Sequence, residues 1–491
     1  MKKIFYILLL ITFPAFGQSL GYTPTPMGAY LGSGGSWTAW NAVLGSQTLG
    51  YTPTPIGLYC LSGGNWQPCN PGSGSLPSGT GIVAVNGGVG ALATQAQILS
   101  AAALPAPYTG LVSTRGNLAY AFNSANTWQM SRTAMIARAP IAANGARPVF
   151  VNYYVPATNV ETSLGTSVTY KVSIEYPAGT IAGLCTYSSA TTITVSGTVD
   201  VIPDLAGCPH AAIPFGAMFW VRALVTNAAG ISFTNTNTTG FYSATNDGFL
   251  FGTGTPTDDT LSGTVGTSSA NYGFGPVAVI GQTTQPSVCI VGDSRALGIN
   301  DKSTDWTLDT GEIARSVGPV YNYLKMAITG SSVNQAITHF TNRLRLVQYC
   351  THAYDEYGIN DLKILSRTAA QVAADRSTLA GLLAIPTFGT TLPPETTSTD
   401  SWATTTNQTV SQSTTAFNAL AIAGISGEVG VVDIDSVVDP LATNLWPVSL
   451  ITGATSGTAG YGTTDGIHET STLNVTIQHS GIVNTAWIYR R

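Results

Sequence analysis

Val288-Cys-Ile-Val-Gly-Asp-Ser294 decides the fold. Its four leading residues are apolar, and a run this short reads as a strand buried on both faces, which a parallel sheet covered by helices requires. The strand runs directly into Gly292-Asp293-Ser294, at the carboxyl end where open α/β sheets place their ligand crevices. Outward from it, helical segments are expected over 334–348, 369–383 and 414–423. Between them lie strands that end at Tyr357, cover 385–390 and cover 429–434. Strands separated by helices imply a parallel α/β sheet with helices on both faces.

Gly-Asp-Ser alone is weak evidence in a chain rich in glycine and serine. Its position strengthens it, because a serine at a strand-to-helix turn can present its hydroxyl to a substrate. A serine hydroxyl is a poor nucleophile without a base to take its proton, and the base needs an orienting carboxylate. Asp465-Gly-Ile-His468 offers both: Asp465 can reach back to one imidazole nitrogen of His468 while the other faces Ser294. His210, His339, His352 and His479 have no carboxylate in comparable register and read as surface or packing residues. Acyl transfer also needs donors aimed at the oxygen that becomes negative during attack. Gly358-Ile-Asn-Asp361 closes the next core strand, and the Asn360 amide is one candidate donor. Gly330, in Ala327-Ile-Thr-Gly-Ser331, is another, through its backbone N–H.

Gly-Asp-Ser, then a glycine, then Gly-x-Asn-Asp, then Asp-x-x-His appear in the order and spacing of the SGNH (GDSL-type) hydrolases, which residues 286–491 resemble. The resemblance implies a flavodoxin-like parallel sheet, Ser294 as nucleophile, His468 as base and Asp465 as its partner. It further implies an oxyanion hole from the Ser294 N–H, the Gly330 N–H and the Asn360 side chain. Arg295 departs from the leucine of the family's name-giving motif. It reads equally as a cation favouring a polar substrate or as a solvent-exposed residue at a helix start. Cys289 and Cys350 read as thiols buried in the sheet. They lie at different distances before Gly292 and Gly358, which leaves a bridge between them open.

The N-terminal half has another character. Residues 1–17 carry Lys2 and Lys3, an apolar run and Ala15-Phe-Gly17, the pattern of a signal peptide. That run is too short to cross a bilayer core needing about 20 residues, and the expectation is a secreted or extracellular protein without a transmembrane span. Over 18–70, Leu20-Gly-Tyr-Thr-Pro-Thr-Pro26 recurs as Leu49-Gly-Tyr-Thr-Pro-Thr-Pro55, each copy followed by a Gly-Gly-x-Trp turn. Two hairpins are expected, with Cys60 bridged to Cys69 across the second. The repeated phrase is similar to repeats of phage tail fibres, and reads first as a stalk and second as a sugar-stacking surface. Residues 71–107 read as a linker with a short Ala-rich helix over 94–103. Short β-branched and aromatic runs over 108–284, at 148–155, 167–174, 192–199 and 217–225, favour an all-β sandwich. Cys185 and Cys208 both lie within it and are candidates for a disulfide, the pairing of Cys185, Cys208, Cys289 and Cys350 being left open by the sequence. Whether this domain holds a glycan or shapes the active-site rim stays open, with the structural role ahead. The hydrolase domain then occupies 285–491.

Charged residues make up only 9% of the 491, and the net charge is -5. Without a Lys/Arg cluster nothing supplies the attraction that nucleic-acid binding requires. Paired histidines and Cys-x-x-Cys are missing, so no metal is expected, and no glycine loop suits a nucleotide; no cofactor is expected either. The expectation is therefore a serine esterase working through an acyl-enzyme on an acylated carbohydrate, by O-deacetylation of an extracellular or cell-surface polysaccharide. The alternatives are a glycan-binding adhesin with an inactive hydrolase domain, and a lipase or aryl esterase. Neither the acyl group, the sugar nor the oligomeric state is written in the sequence.

Overall fold

The computed structural model describes residues 106–488 except 166, 236–246, 267–271, 302–308 and 450–460 and the side chains of 233–235, 272–273 and 487. It also gives the backbone of six short strands nearer the N terminus. The chain forms two compact units, Met1–Leu104 and Pro105–Arg491.

In the first unit Tyr30–Ser33 pairs with Ser36–Ala39 and Tyr59–Ser62 with Asn65–Pro68, both antiparallel. In the second of these Cys60 stands opposite Gln67. The Cys60–Cys69 bridge, the helix over 94–103 and the signal segment lie outside the described residues. A third hairpin, Val83–Asn86 with Val89–Leu92, stands within the stretch read as a linker. Asn86-Gly87-Gly88 is a two-residue hairpin signal, passed over amid the surrounding glycine and serine.

The second unit is built on six parallel strands: β1 (Gly116–Asn117), β2 (Ser287–Gly292), β3 (Asn322–Ala327), β4 (His352–Asp355), β5 (Thr387–Thr390) and β6 (Glu428–Val432). Their order is β6-β5-β4-β2-β3-β1. The chain leaves β2 for β3 on one side and returns to β4 on the other. The strand order thus reverses at β2, and the crevice of such a sheet opens at its carboxyl end, where Ser294 stands.

Side-chain alternation along β2 explains the unbroken apolar run. Val288 and Ile290 face one layer with helices α1 (Ser294–Leu297) and α2 (Glu312–Val317). Cys289 and Val291 face the other with α3 (Val333–His339), α4 (Ala369–Leu383) and α5 (Thr415–Ala423). A final helix, α6 (Ser471–Ser480), joins the first layer. The helix read over 334–348 is interrupted: α3 ends at His339 and a separate turn covers Leu344–Val347. Cys289 and Cys350 are bonded to each other, with Cα atoms 5.7 Å apart. Cys350 lies just before β4, and β4 pairs with β2 so that Cys289 meets Ala353. The offset that left the bridge open is thus the one that brings the two sulfurs together.

Residues before β2 form antiparallel sheets. One runs Ile181–Leu184, Val168–Glu175, Met218–Thr226, Trp128–Ile136, Gly248–Gly252 in spatial order; another runs Asp200–Val201, Arg147–Val151, Ala278–Thr283, Tyr108–Leu111. Both contribute to one apolar cluster that includes Met135, Phe150, Tyr170 and Val221. The disulfide Cys185–Cys208 lies in it. The position 284/285 is bridged by packing: β1 extends the parallel sheet, and Leu111, Val149, Val151 and Ile280 belong to the same core as Cys289 and Leu324. Among the described residues, no helix is long and apolar enough to cross a membrane.

Candidate active site

Ser294 opens α1 directly after β2. Asp293 caps that helix, its Oδ1 accepting the Arg295 N–H at 3.0 Å. Gly292 allows the tight turn: a Cβ there would stand 2.7 Å from the Ala296 Cβ and 3.0 Å from that of Glu356, so only glycine lets α1 fold back on the strand. Ser294 is buried apart from a small opening.

The Asp465–His468 turn comes from 171 residues later in the chain and is held mainly by its own backbone. Asp465 Oδ1 accepts the N–H groups of Ile467 and His468, both at 2.9 Å. The Gly466 carbonyl accepts from the Thr396 N–H and the Trp446 indole, each at 3.0 Å. Thr396 belongs to a hairpin, Glu395–Ser398 with Gln408–Gln412. That hairpin braces the turn.

The result is a relay. His468 Nδ1 lies 2.7 Å from Asp465 Oδ2, and His468 Nε2 lies 2.7 Å from Ser294 Oγ. Asn300, absent from the sequence reading, donates from Nδ2 to Asp465 Oδ2 at 2.8 Å. No motif marks it; a lone asparagine in a turn carries no signal of its own. Burial pushes the Asp465 carboxyl upward, but the bond to His468, its charge and the two backbone N–H donors hold it well below the usual carboxylate range. A charged Asp465 fixes the imidazole with Nδ1–H toward itself and the Nε2 lone pair toward the serine hydroxyl.

The other two candidates lie on neighbouring turns. Gly330 follows β3 with φ +74°, a backbone state that favours glycine. Its turn is tied to β2, since the Ile328 N–H donates to the Gly292 carbonyl at 3.0 Å and Ser331 Oγ to the same oxygen at 3.4 Å. Asn360 Nδ2 donates to the Ser331 carbonyl at 2.8 Å, and the amide nitrogen carries a second N–H. Asp361 contributes something not read from the motif. Its carboxyl accepts the N–H groups of Val333 and Asn334 at 2.9 and 3.0 Å, capping α3 and fixing the turn that holds Gly330. Burial raises the Asp361 carboxyl to about 7.

Arg295 corrects both sequence readings: it neither borders the substrate side nor reaches solvent. The guanidinium is fully buried behind Ser294, donating to Glu312 Oε1 at 3.0 Å and to the Glu356 carbonyl at 2.9 Å. Glu356 and Glu469 lie in the same buried cluster, and burial together with the nearby Glu312 charge pushes both well above the usual carboxylate range. Burial likewise raises Asp293 to about 6 and lowers Lys325 to about 8. The Lys325 ammonium donates to the carbonyls of Leu297 and Thr310.

Comparison with known proteins gives structural likeness only. No family model matches, and no curated protein matches. Among solved structures, a salicylyl-acyltransferase from a tetracycline biosynthetic pathway is 8% identical, aligning 78% of this chain with 95% of its own at a TM-score of 0.28. A peptidoglycan O-acetylesterase is 10% identical over 78% of this chain and 77% of its own, with a TM-score of 0.32. An acetyl xylan esterase from Geobacillus stearothermophilus is 14% identical over 42% of this chain and 97% of its own, at 0.27. These likenesses are distant.

Proposed function

We propose that the chain is a secreted serine ester hydrolase that removes O-acetyl groups from an extracellular or cell-surface polysaccharide. One observation carries the reaction class: a single imidazole spans a serine hydroxyl and a carboxylate at 2.7 Å each. Ser294 Oγ attacks the ester carbonyl carbon as His468 Nε2 takes its proton, and Asp465 stabilises the imidazolium. The carbonyl oxygen, now negative, is met by the N–H groups of Ser294, Gly330 and Asn360. Collapse breaks the bond to the alcohol, which leaves with the proton from His468, and acetyl remains on Ser294. Water then attacks with the same base, releasing acetate and restoring the hydroxyl.

The carbohydrate substrate, the export signal and the accessory β-sandwich over 108–284 are parts of this proposal. The test compares the mature protein with Ser294→Ala, following acetate release from 4-nitrophenyl acetate and from acetylated polysaccharides. Turnover by the first and none by the second is expected. Equal rates would remove Ser294 from the mechanism, and glycan binding without turnover would make the chain an adhesin.

A further inference from the structure

The turn that holds Gly330 is touched from outside the α/β layer. Residues 156–160, between Val155 of the β-rich region and the acid Glu161, reach across to it. A Cβ built on Gly330 would lie 3.5 Å from the Ala157 Cβ. Asn159 Nδ2 donates to the carbonyl of Ser332, two residues beyond Gly330, at 3.3 Å.

This loop is fixed to an unusual degree for an exposed tip. Asn159 is fully buried and sits at φ +63°, while Ala157 and Thr158 beside it are exposed and Val160 is 42% exposed. Its N–H closes a turn onto the Pro156 carbonyl at 2.8 Å. Its side-chain and backbone oxygens accept from the Arg343 guanidinium at 3.1 and 3.4 Å. Arg343, itself buried, also pairs with Glu161 at 3.0 Å, and Glu161 accepts the backbone N–H groups of Asn342 and Arg343. A buried residue in a left-handed conformation with every arm engaged holds small, uncharged neighbours outward. Such rigidity lowers the ordering cost of binding whatever lies against the tip.

We infer that residues 157–160 form a specificity wall of the substrate cleft, with Ala157 and Thr158 meeting the alcohol portion of the ester and Asn159 as the positioning residue. The inference rests on the proposed active site, since Gly330 marks the carbonyl oxygen only there. An acetyl group ends within one carbon of that carbonyl. Anything that reaches past Gly330 to the loop therefore belongs to the larger half of the ester, the sugar. 4-Nitrophenyl acetate presents a single flat ring there, where a polysaccharide presents hydroxyls and continues with further sugar units.

The test takes the ratio of kcat/KM on a carbohydrate ester to kcat/KM on 4-nitrophenyl acetate. The carbohydrate is whichever of acetylated xylan, acetylated pectin and acetylated chitooligosaccharide the mature protein turns over fastest. Ala157→Arg should lower the ratio at least tenfold, chiefly through KM on the carbohydrate. Asn159→Gly keeps the backbone conformation while removing the anchor, and should lower it at least fivefold. Ratios within twofold of the parent in both variants would overturn the wall, as would a parent that turns over 4-nitrophenyl acetate and none of the three carbohydrates. Ser294→Ala run alongside separates the two readings: if it retains turnover, the active site itself is wrong, whatever the ratios do.

Discussion

The two turns that meet at the imidazole are held in opposite ways. The proposed nucleophile turn is buried on a cluster of ionisable groups, Asp293, Arg295, Glu312 and Glu356 from three separate stretches of chain, together with Glu469. The proposed base turn, Asp465–His468, is partly open to solvent; N–H groups within four residues of sequence shape it, and Asn300, Thr396 and Trp446 brace it from outside. One geometry is bound up with the stability of the sheet, and the other depends more on its own sequence. Breaking each turn should therefore show in different measurements.

The largest effect on turnover with the least on folding belongs to the base turn. Asp465→Asn leaves a side chain of the same shape but removes the charge that orients His468, and kcat should fall about a thousandfold or more. Its stability cost should be about 1 kcal/mol or less, because the carboxylate is more than a third exposed and solvent screens its pairing. Steady-state kinetics beside urea unfolding checks both halves. Arg295→Met should do the reverse, costing about 3–5 kcal/mol of stability by leaving the Glu312 carboxylate buried without its partner. An Arg295→Met protein as stable as its parent would contradict the role given to the cluster.

Asn360→Ala should lower kcat about 100-fold, through loss of one oxyanion donor, and KM should move little. Because the same amide holds the Ser331 carbonyl, the variant also tests whether the Gly330 turn needs that tie; a large rise in KM would show that it does.

The smallest effect is on pH dependence of stability. Asp361 and Asp435 are raised to about 7 by burial, and Glu356 and Glu469 stand well above their ordinary values. The native chain then binds more protons than the unfolded one from about pH 4 upward to 7, so stability falls as pH rises through that window. Buried His210 and His352, lowered by burial, pull the other way below their ordinary value of about 6.5, but they are fewer. Calorimetry should give a Tm several degrees higher at pH 5 than at pH 8; a higher Tm at pH 8 would contradict the burial of protonated carboxyls.

The same contrast explains what the sequence made legible. Asp-x-x-His encodes its own turn, so Asp465 and His468 could be named from four residues. The strand before Ser294 was visible in its apolar run, and α4 was read residue for residue. Arg295 was misread because its partners Glu312 and Glu356 are distant in sequence, and no local pattern announces a buried charge cluster. Asn300, Asp361 and Asn159 were missed for the same reason: each acts through a contact between segments that only the sheet topology brings together. The helix over 334–348 failed differently: the backbone leaves the helix at Phe340, and the N–H groups of Asn342 and Arg343 donate to the Glu161 carboxylate, a residue remote in sequence.

A serine primed by an imidazole reacts with phosphorylating agents that leave ordinary serines untouched, so the protein is treated with an alkyl fluorophosphonate and the adduct mapped by peptide mass spectrometry. One adduct per chain is expected, on the peptide containing Ser294, formed at least a thousandfold more slowly in His468→Ala. An adduct on another residue, or equal labelling with and without the imidazole, would contradict the priming of Ser294 by His468.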